Sequence, residues 1–386
     1  MDHSTNGDGA EIGSRSRVNA EETPIPWAKP VFWGDEEKYV VQALRSAWIS
    51  GGPYIAQFEQ TLAEYLGCKH AIAVSNGTSA LHLAYLALGL KAGDEIIAPA
   101  FGFMAGSNVA LQLGLRPVFC DVDPSTWCMN SSNVRAVLSP KSRAIVVVHN
   151  YGNVCEMAGL LKLAREHSIP LIEDAAEALG SRASMGPAGS LGTINTLSFH
   201  ATKTITTGEG GLVSTNDDQL ADLVRLYSSH GLRRRRHYWH EVPGHNFRMT
   251  NLQAALGCAQ FEHIEAIVAG RRRVYSHFQS RLRDMEGLTL QQITDGATPL
   301  IWTAAALLSP EHFPQGRDEV LTQMMRYGIE TRPGFQSPSE MPYFEKKTYP
   351  VSDLLSRWVI SLPSFPTLGE HQINYICERL ASLRQA

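Results

Sequence analysis

Three short stretches of this 386-residue chain carry residues that could do chemistry together. In "SFHATKTITTGEGG", Lys203 lies on a short loop between two strand-like runs, "TLSF" and "GLVST". An amine held between buried strands is poorly solvated, which suits it to attack carbonyls, although a surface lysine on a glycine-rich turn has the same local pattern. In "IPLIEDAAEALGS", Asp174 ends an apolar run and precedes two alanines. A carboxylate at a buried strand end needs a cationic or N–H partner, unless it caps a helix over "AAEALG". In "AVSNGTSAL", a strand leads through Asn76, Gly77, Thr78 and Ser79 into a helix. Gly77 allows close backbone approach, and Thr78 and Ser79 offer hydroxyls and N–H groups at a helix N-terminus. That is a phosphate site or a simple cap. Ser198, five residues before Lys203, adds a further hydroxyl.

Each stretch alone has a structural explanation, but the conjunction is more specific. A glycine-containing phosphate loop comes first, then an aspartate, then a lysine about thirty residues later. These supply a phosphate cradle, an acid for a ring nitrogen and an amine for an aldehyde, which are the requirements of pyridoxal phosphate.

The surrounding pattern predicts the frame that positions these residues. "EEKYVVQALRS", "YIAQFEQTLAEYLG" and "SALHLAYLALGL" have helical spacing. "HAIAV", "DEIIAPA", "RPVFCDVD", "RAIVVVHN", "IPLIEDA", "TLSFH" and "GLVST" are brief runs bounded by turn residues and mostly separated by helical stretches. Such alternation predicts a mostly parallel sheet of about seven strands, covered on both faces. Ligands of open α/β sheets bind at the carboxyl ends of the strands, where all three stretches fall. From Asn251, "NLQAALGCAQFEHIEAIVAGRRRVYSHFQSRLRDM" reads as one long helix or two abutting ones, and the remainder as a smaller α+β unit. The expected organisation is a disordered lead-in over residues 1–25, a large α/β domain over 26–260 and a small α+β domain over 261–386.

Composition narrows the class. The chain is 44% apolar and 19% charged with a formal net charge of −4, which gives no global attraction for nucleic acid. Six scattered cysteines form no CxxC pair and read as reduced thiols of a cytoplasmic protein. The fourteen histidines include no HExxH, so no metal site is expected. No stretch has the form of a signal peptide or membrane anchor. "SNGTSALHLA" lacks the G-x-G-x-x-G of a dinucleotide-binding turn.

"SNGTSALHLAYLALG", "IEDAAEALGS", "SFHATKTITTGEGG" and "GHNFRMTNLQAALG" resemble the DegT/StrS-type sugar aminotransferases, from about residue 26 to the C-terminus. The resemblance implies a fold type I, pyridoxal phosphate-dependent α/β transferase with a seven-stranded, mostly parallel sheet and a smaller α+β domain. It implies a nucleotide-linked keto-sugar and glutamate as substrates, pyridoxamine phosphate as the alternate cofactor form, and a homodimer with shared active sites. By motif, Lys203 is the catalytic amine, Asp174 the partner of the pyridine nitrogen, and Glu177 a neighbour of the ring hydroxyl. Gly77, Thr78 and Ser198 hold the phosphate, Phe103 of "PAFGFMAGSN" stacks on the ring, and Asn246 reaches the phosphate of the other subunit.

Within that family, "SHGLRRRRHYWHEVPGHNFRMTN" is most similar to the perosamine-type branch, which aminates the 4-keto position of GDP-4-keto-6-deoxymannose. Its Arg233 to Arg236 run reads either as a solvated basic loop or as a diphosphate dock with Tyr238 or Trp239 beside a base or sugar. Three positions depart from the pattern: Thr193, Gln336 and Ala305. The last two fall in the region expected to shape the sugar pocket and leave the sugar and keto position open. A lysine at 203, where the related dehydratases have histidine, argues for transamination. A catalytically idle, cofactor-binding regulatory protein is the alternative from another class.

Overall fold

The computed structural model describes residues 24–233 and 236–385. Residues 1–23 of the expected lead-in, and Arg234 and Arg235 of the arginine run, lie outside the described residues. The lead-in does not extend to residue 25: Ile25 is buried and bridges Ile329.

After α1 (Glu36–Arg45) and α2 (Pro53–Leu66), strands and helices alternate: β1 (His70–Val74), α3 (Gly77–Ala87), β2 (Glu95–Pro99), α4 (Ala105–Gln112), β3 (Arg116–Cys120), α5 (Ser131–Arg135), β4 (Ser142–Val148), α6 (Met157–Glu166) and β5 (Leu171–Asp174). A small hairpin of β6 (Arg182–Ala183) and β7 (Gly186–Pro187) precedes β8 (Ile194–Ser198), β9 (Gly211–Thr215) and α7 (Asp218–Ser228). The seven-stranded sheet has the order β1-β9-β8-β5-β4-β2-β3. Only β9 runs against its neighbours, β1 and β8, and the other pairs are parallel.

Both faces of this sheet are covered, which is why its strands read as continuous apolar runs. Ile97, Ile145 and Val147 face a core with Phe58, Leu62 and Leu160 of α2 and α6. Their neighbours Ile96, Ala144 and Val146 face the opposite core, with Leu81, Val109 and Val224 of α3, α4 and α7. Polar side chains inside these strands, such as Glu173 and Asn195, are consumed by hydrogen bonds within the fold, whereas Asp174 and Ser198 are the last residues of β5 and β8.

The long helical stretch divides at His263 into α8 (Asn251–Glu262) and α9 (Ile264–Leu282). Thr250 caps α8 reciprocally with Gln253. A second, antiparallel sheet has the order β10-β11-β13-β12 and comprises β10 (Leu288–Leu290), β11 (Ala305–Leu308), β12 (Arg332–Pro333) and β13 (Val359–Ser361), with α10 (Arg317–Arg326), α11 (Pro350–Trp358) and α12 (Glu370–Ser382) around it. "VSDLLSRWVIS" forms α11 and β13, elements the sequence pattern did not mark. The N-terminal strap joins this second unit: the Trp27 N–H donates to Glu330 at 3.1 Å and its indole N–H to Ser361 Oγ at 3.2 Å.

Where the chain leaves β4, it passes under residues 300–302. Gly152 adopts φ 95°, and a Cβ there would overlap the Leu300 carbonyl oxygen and come within 2.9 Å of the Trp302 nitrogen. Backbone cannot give way as a flexible side chain can. Gly152→Ala is therefore expected to cost roughly 1–3 kcal/mol. The loss should appear as a lower urea midpoint with an unchanged slope, and an unshifted midpoint would contradict this account of the turn.

Candidate active site

Gly77 and Thr78, Asp174 and Glu177, and Ser198 and Lys203 lie at or just beyond the carboxyl ends of β1, β5 and β8. Asn76 is the N-cap of α3: its Oδ1 accepts the Ser79 N–H at 2.8 Å. That leaves the amides of Gly77 and Thr78 without an acceptor among the described residues, at the positive end of the helix. Across the strand ends, a Cβ on Gly77 would meet Ser198 Cβ at 3.0 Å, so the first turn of α3 and the end of β8 are in contact. Gly211 packs beneath them, where a Cβ would come within 2.8 Å of the Gly77 nitrogen.

Asp174 is 4% exposed, and its carboxylate has one hydrogen bond among the described residues, from the Ala176 N–H at 3.1 Å. The segment after it is a turn rather than a helix, so the helix-capping alternative for Asp174 falls away. Burial pushes its pKa upward, against the pull of that N–H and of Lys203. Glu177 is equally buried and its pKa is also raised by burial, with Lys203 and the Tyr151 N–H opposing. Its Oε2 accepts that N–H at 2.8 Å, and its Oε1 lies 3.5 Å from Lys203 Nζ.

From Glu177 the contacts run outward. Tyr151 stacks on Phe335, with centroids 5.0 Å apart, and Phe335 meets Phe103 edge-on at 6.4 Å. Phe103 is 62% exposed over a cleft of about 550 Å³, lined also by Thr78, Asn108, Gln336 and Tyr343. A larger concavity of about 1030 Å³ follows the outer edge of β1 near Arg225, Arg233 and Arg248, and contains Arg233 of the arginine run but neither Lys203 nor its carboxylate neighbours. The smaller cleft takes in Thr78 and Phe103, whereas Lys203 borders a separate narrow recess with Trp33, Gln260 and Arg271.

Asn246 is not brought to this cleft. It is exposed on a ribbon that bridges Ser229 beside the β1 edge. Arg233 pairs with Glu241 at 2.9 Å, and the Arg236 guanidinium lies 4.1 Å from the Trp239 ring centroid. Of the three departures, Gln336 lines the cleft, whereas Ala305 is buried beneath Tyr151 and Phe335. Thr193 bonds the Leu171 N–H through its hydroxyl at 3.2 Å, a link between β5 and the start of β8.

The sequence reading missed four residues of the site: Tyr151 beside Glu177, Phe335 stacked on Tyr151, and Trp302 and Arg271 beside Lys203. The Trp302 indole lies under Lys203 Nζ, 3.9 Å from ring centroid to nitrogen. Arg271 donates to the carbonyls of Trp302 at 2.8 Å and Lys203 at 3.0 Å, and burial lowers its pKa to about 10. A signal for Arg271 was present in the sequence. It falls on the buried stripe of α9 formed by Ile264, Ile267, Val274, Phe278 and Leu282, where a guanidinium must find acceptors.

These groups fit pyridoxal phosphate. A buried carboxylate with a single N–H donor suits a ring N–H cation, free amides beside a serine hydroxyl suit a phosphate, and a half-dry amine suits an aldehyde. Among the described residues, no group of histidine, cysteine and carboxylate side chains is arranged to hold a metal, and no helix is long and apolar enough to cross a membrane.

A sequence profile of the DegT/DnrJ/EryC1/StrS aminotransferase family matches residues 33–381. The chain is 38% identical to the GDP-perosamine synthase of Escherichia coli O157:H7, over 92% of this chain and 97% of that one. It is 40% identical to the GDP-perosamine synthase of Caulobacter vibrioides, over 82% and 86%. Its structure matches that of DesI, solved in the presence of its TDP-sugar product, with a TM-score of 0.86 at 30% identity, covering 94% and 93% of the two chains. With a family match across nearly the whole chain and a site shaped for pyridoxal phosphate, this protein belongs to the DegT/DnrJ/EryC1/StrS family of pyridoxal phosphate-dependent sugar aminotransferases.

Proposed function

We propose that the chain transfers the amino group of glutamate to the 4-keto carbon of GDP-4-keto-6-deoxymannose, as a cytoplasmic homodimer with shared active sites. The observation that carries this reading is the Lys203 amine beside two buried carboxyl groups at the strand ends, in a chain with perosamine-synthase relatives along nearly its full length.

Bound pyridoxal phosphate supplies an aldehyde that joins to amines and a protonated ring that accepts electrons. The chain supplies the rest. The Asp174 carboxylate accepts the ring N–H and holds the ring nitrogen charged. Glu177 fixes the Tyr151 turn and keeps an acceptor near Lys203 Nζ and the ring hydroxyl. Lys203 takes the proton from the α-carbon of glutamate and later delivers one to the sugar carbon that receives the amine. The Gly77 and Thr78 amides and the Ser198 hydroxyl hold the phosphate, and Phe103 covers the ring. Phe335, Gln336 and Tyr343 line the space left for the sugar. Asn246, exposed on its ribbon, completes the phosphate site of the partner subunit. Arg233 and Arg236, next to the same ribbon, approach the substrate diphosphate there.

The activity is tested by incubating the protein with glutamate and each of a panel of nucleotide-linked keto-sugars, and following 2-oxoglutarate and the aminated sugar by mass spectrometry. The expected result is one equivalent of each, with the GDP-linked 4-keto sugar preferred and turnover reduced about 10²–10⁴-fold in Lys203→Ala. Cofactor binding without 2-oxoglutarate from any sugar would favour a regulatory protein instead.

Asp174 yields a second test, because burial raises its pKa in the folded state. Folding then favours the protonated form. The stability tied to this group is complete below the ordinary aspartate pKa and is lost as pH rises through the raised one. Asp174→Asn should therefore make the cofactor-free protein more stable than wild type at neutral pH, with the difference shrinking on acidification. The same substitution should slow the loaded enzyme about 10²–10³-fold. Thermal melts of both proteins across pH, with turnover measured in parallel, check the pair of outcomes. A destabilised Asp174→Asn apoprotein would mean that the carboxylate serves the fold rather than the cofactor.

A further inference from the structure

The Lys203 side chain is 14% exposed and has two neighbours of different character. One is the Glu177 carboxylate at 3.5 Å; the other is the face of the Trp302 indole at 3.9 Å. The indole is held from several sides. Its N–H donates to the Thr202 carbonyl at 2.7 Å, and the Trp302 backbone N–H donates to the Tyr151 carbonyl at 2.8 Å. Trp27 of the N-terminal strap packs edge-on against the ring, with centroids 5.4 Å apart and planes at 87°. Arg271 ties the carbonyls of Trp302 and Lys203 to one buried guanidinium, so lysine and indole share a single anchor. A ring fixed this firmly, with its face toward an ammonium, is more than packing requires.

We propose that Trp302 is a positioning residue for Lys203, its π face holding the ε-ammonium in place during the interval in which that amine carries a proton. The proposal rests on the reading of Lys203 as the amine of the reaction. A free lysine is a compact charge on a long flexible stem. Glu177 alone would hold it by an ion pair from one side only. An aromatic face attracts the cation from a second side without itself accepting the proton, so the ammonium is held between ring and carboxylate rather than drawn onto the carboxylate alone. The anchoring of Trp302 through Trp27 to the strap, and of the strap to Glu330 and Ser361, links this seat to the second sheet.

The test compares Trp302→Phe, which keeps a π face, with Trp302→Leu, which does not; both lose the bond to Thr202. In the cofactor-free protein, acetylation of Lys203 by acetic anhydride is followed by mass spectrometry against the exposed Lys162. Trp302→Leu should raise the relative rate roughly three- to thirtyfold, and Trp302→Phe should raise it less. In the loaded enzyme, glutamate deuterated at its α-carbon should show a larger isotope effect on kcat in Trp302→Leu than in wild type, with KM for glutamate unchanged. Site-specific fluorinated tryptophan at 302 keeps the shape and the N–H while weakening the ring's attraction for cations, so it covers the case in which Trp302→Leu does not fold. Acetylation should rise with each added fluorine. Equal labelling of Lys203 in wild type and fluorinated protein, or identical isotope effects in the Phe and Leu variants, would overturn the proposal. Failure of the underlying reading is distinct: Lys203→Ala would then retain turnover, while the acetylation series would be unaffected.

Discussion

Two carboxyl groups and one ammonium are buried together at the carboxyl ends of the large sheet. Asp174 and Glu177 both have their pKa values raised by burial, and Lys203 is the cation beside them. One ammonium does not neutralise two carboxylates in a site from which water is largely excluded. The remaining need is for a buried cation with an N–H to donate, and a protonated pyridine ring meets it. On the proposed reading, affinity for the cofactor and readiness of the ring to accept electrons have the same electrostatic origin. The apoprotein is left with a charge it would be more stable without.

The scaffold is arranged to maintain that imbalance. Parallel strands with both faces covered carry their ligand-facing groups at the carboxyl ends, where Asp174 and Ser198 stand on one edge of the sheet. The cap of α3 by Asn76 uses the Ser79 amide and leaves those of Gly77 and Thr78 directed outward. Gly77 and Gly211 allow the first turn of α3 to settle against β8 and β9 with no side chain intervening. On the opposite side, Arg271 holds the carbonyl of Lys203, the Trp302 indole holds that of Thr202, and the Tyr151 turn fixes Glu177. Each charged group is thus held by backbone contacts of its own, independent of a ligand.

Much of this was legible in the chain, for a physical reason. A strand buried on both faces is mostly apolar, so polar residues at and just beyond its end stand out, as Asp174 does at the end of "PLIED" and Lys203 does in the loop after "TLSF". The seven strands of the large sheet and the three chemistry-bearing stretches were read in this way. Residues delivered by long-range packing were not. Tyr151, Phe335 and Trp302 come from segments whose position depends on contacts between the two sheets, and nothing in "TPLIWTAAALL" marks its tryptophan as a neighbour of Lys203. Asp174 also shows a local rule giving way: "AAEALG" has helical composition, yet the segment folds as a turn in which Ala176 donates to Asp174. In "VSDLLSRWVIS" a short helix runs directly into a strand, so neither period lasts long enough to be read.

The central claim is that one lysine, on the loop between β8 and β9, carries the cofactor and the chemistry. Borohydride reduction of the yellow, cofactor-loaded protein, followed by proteolysis and peptide mass spectrometry, tests it most directly. The account predicts a single phosphopyridoxyl-bearing peptide, modified at Lys203, with loss of the visible colour. A reduced protein labelled at another lysine with Lys203 unmodified would contradict it.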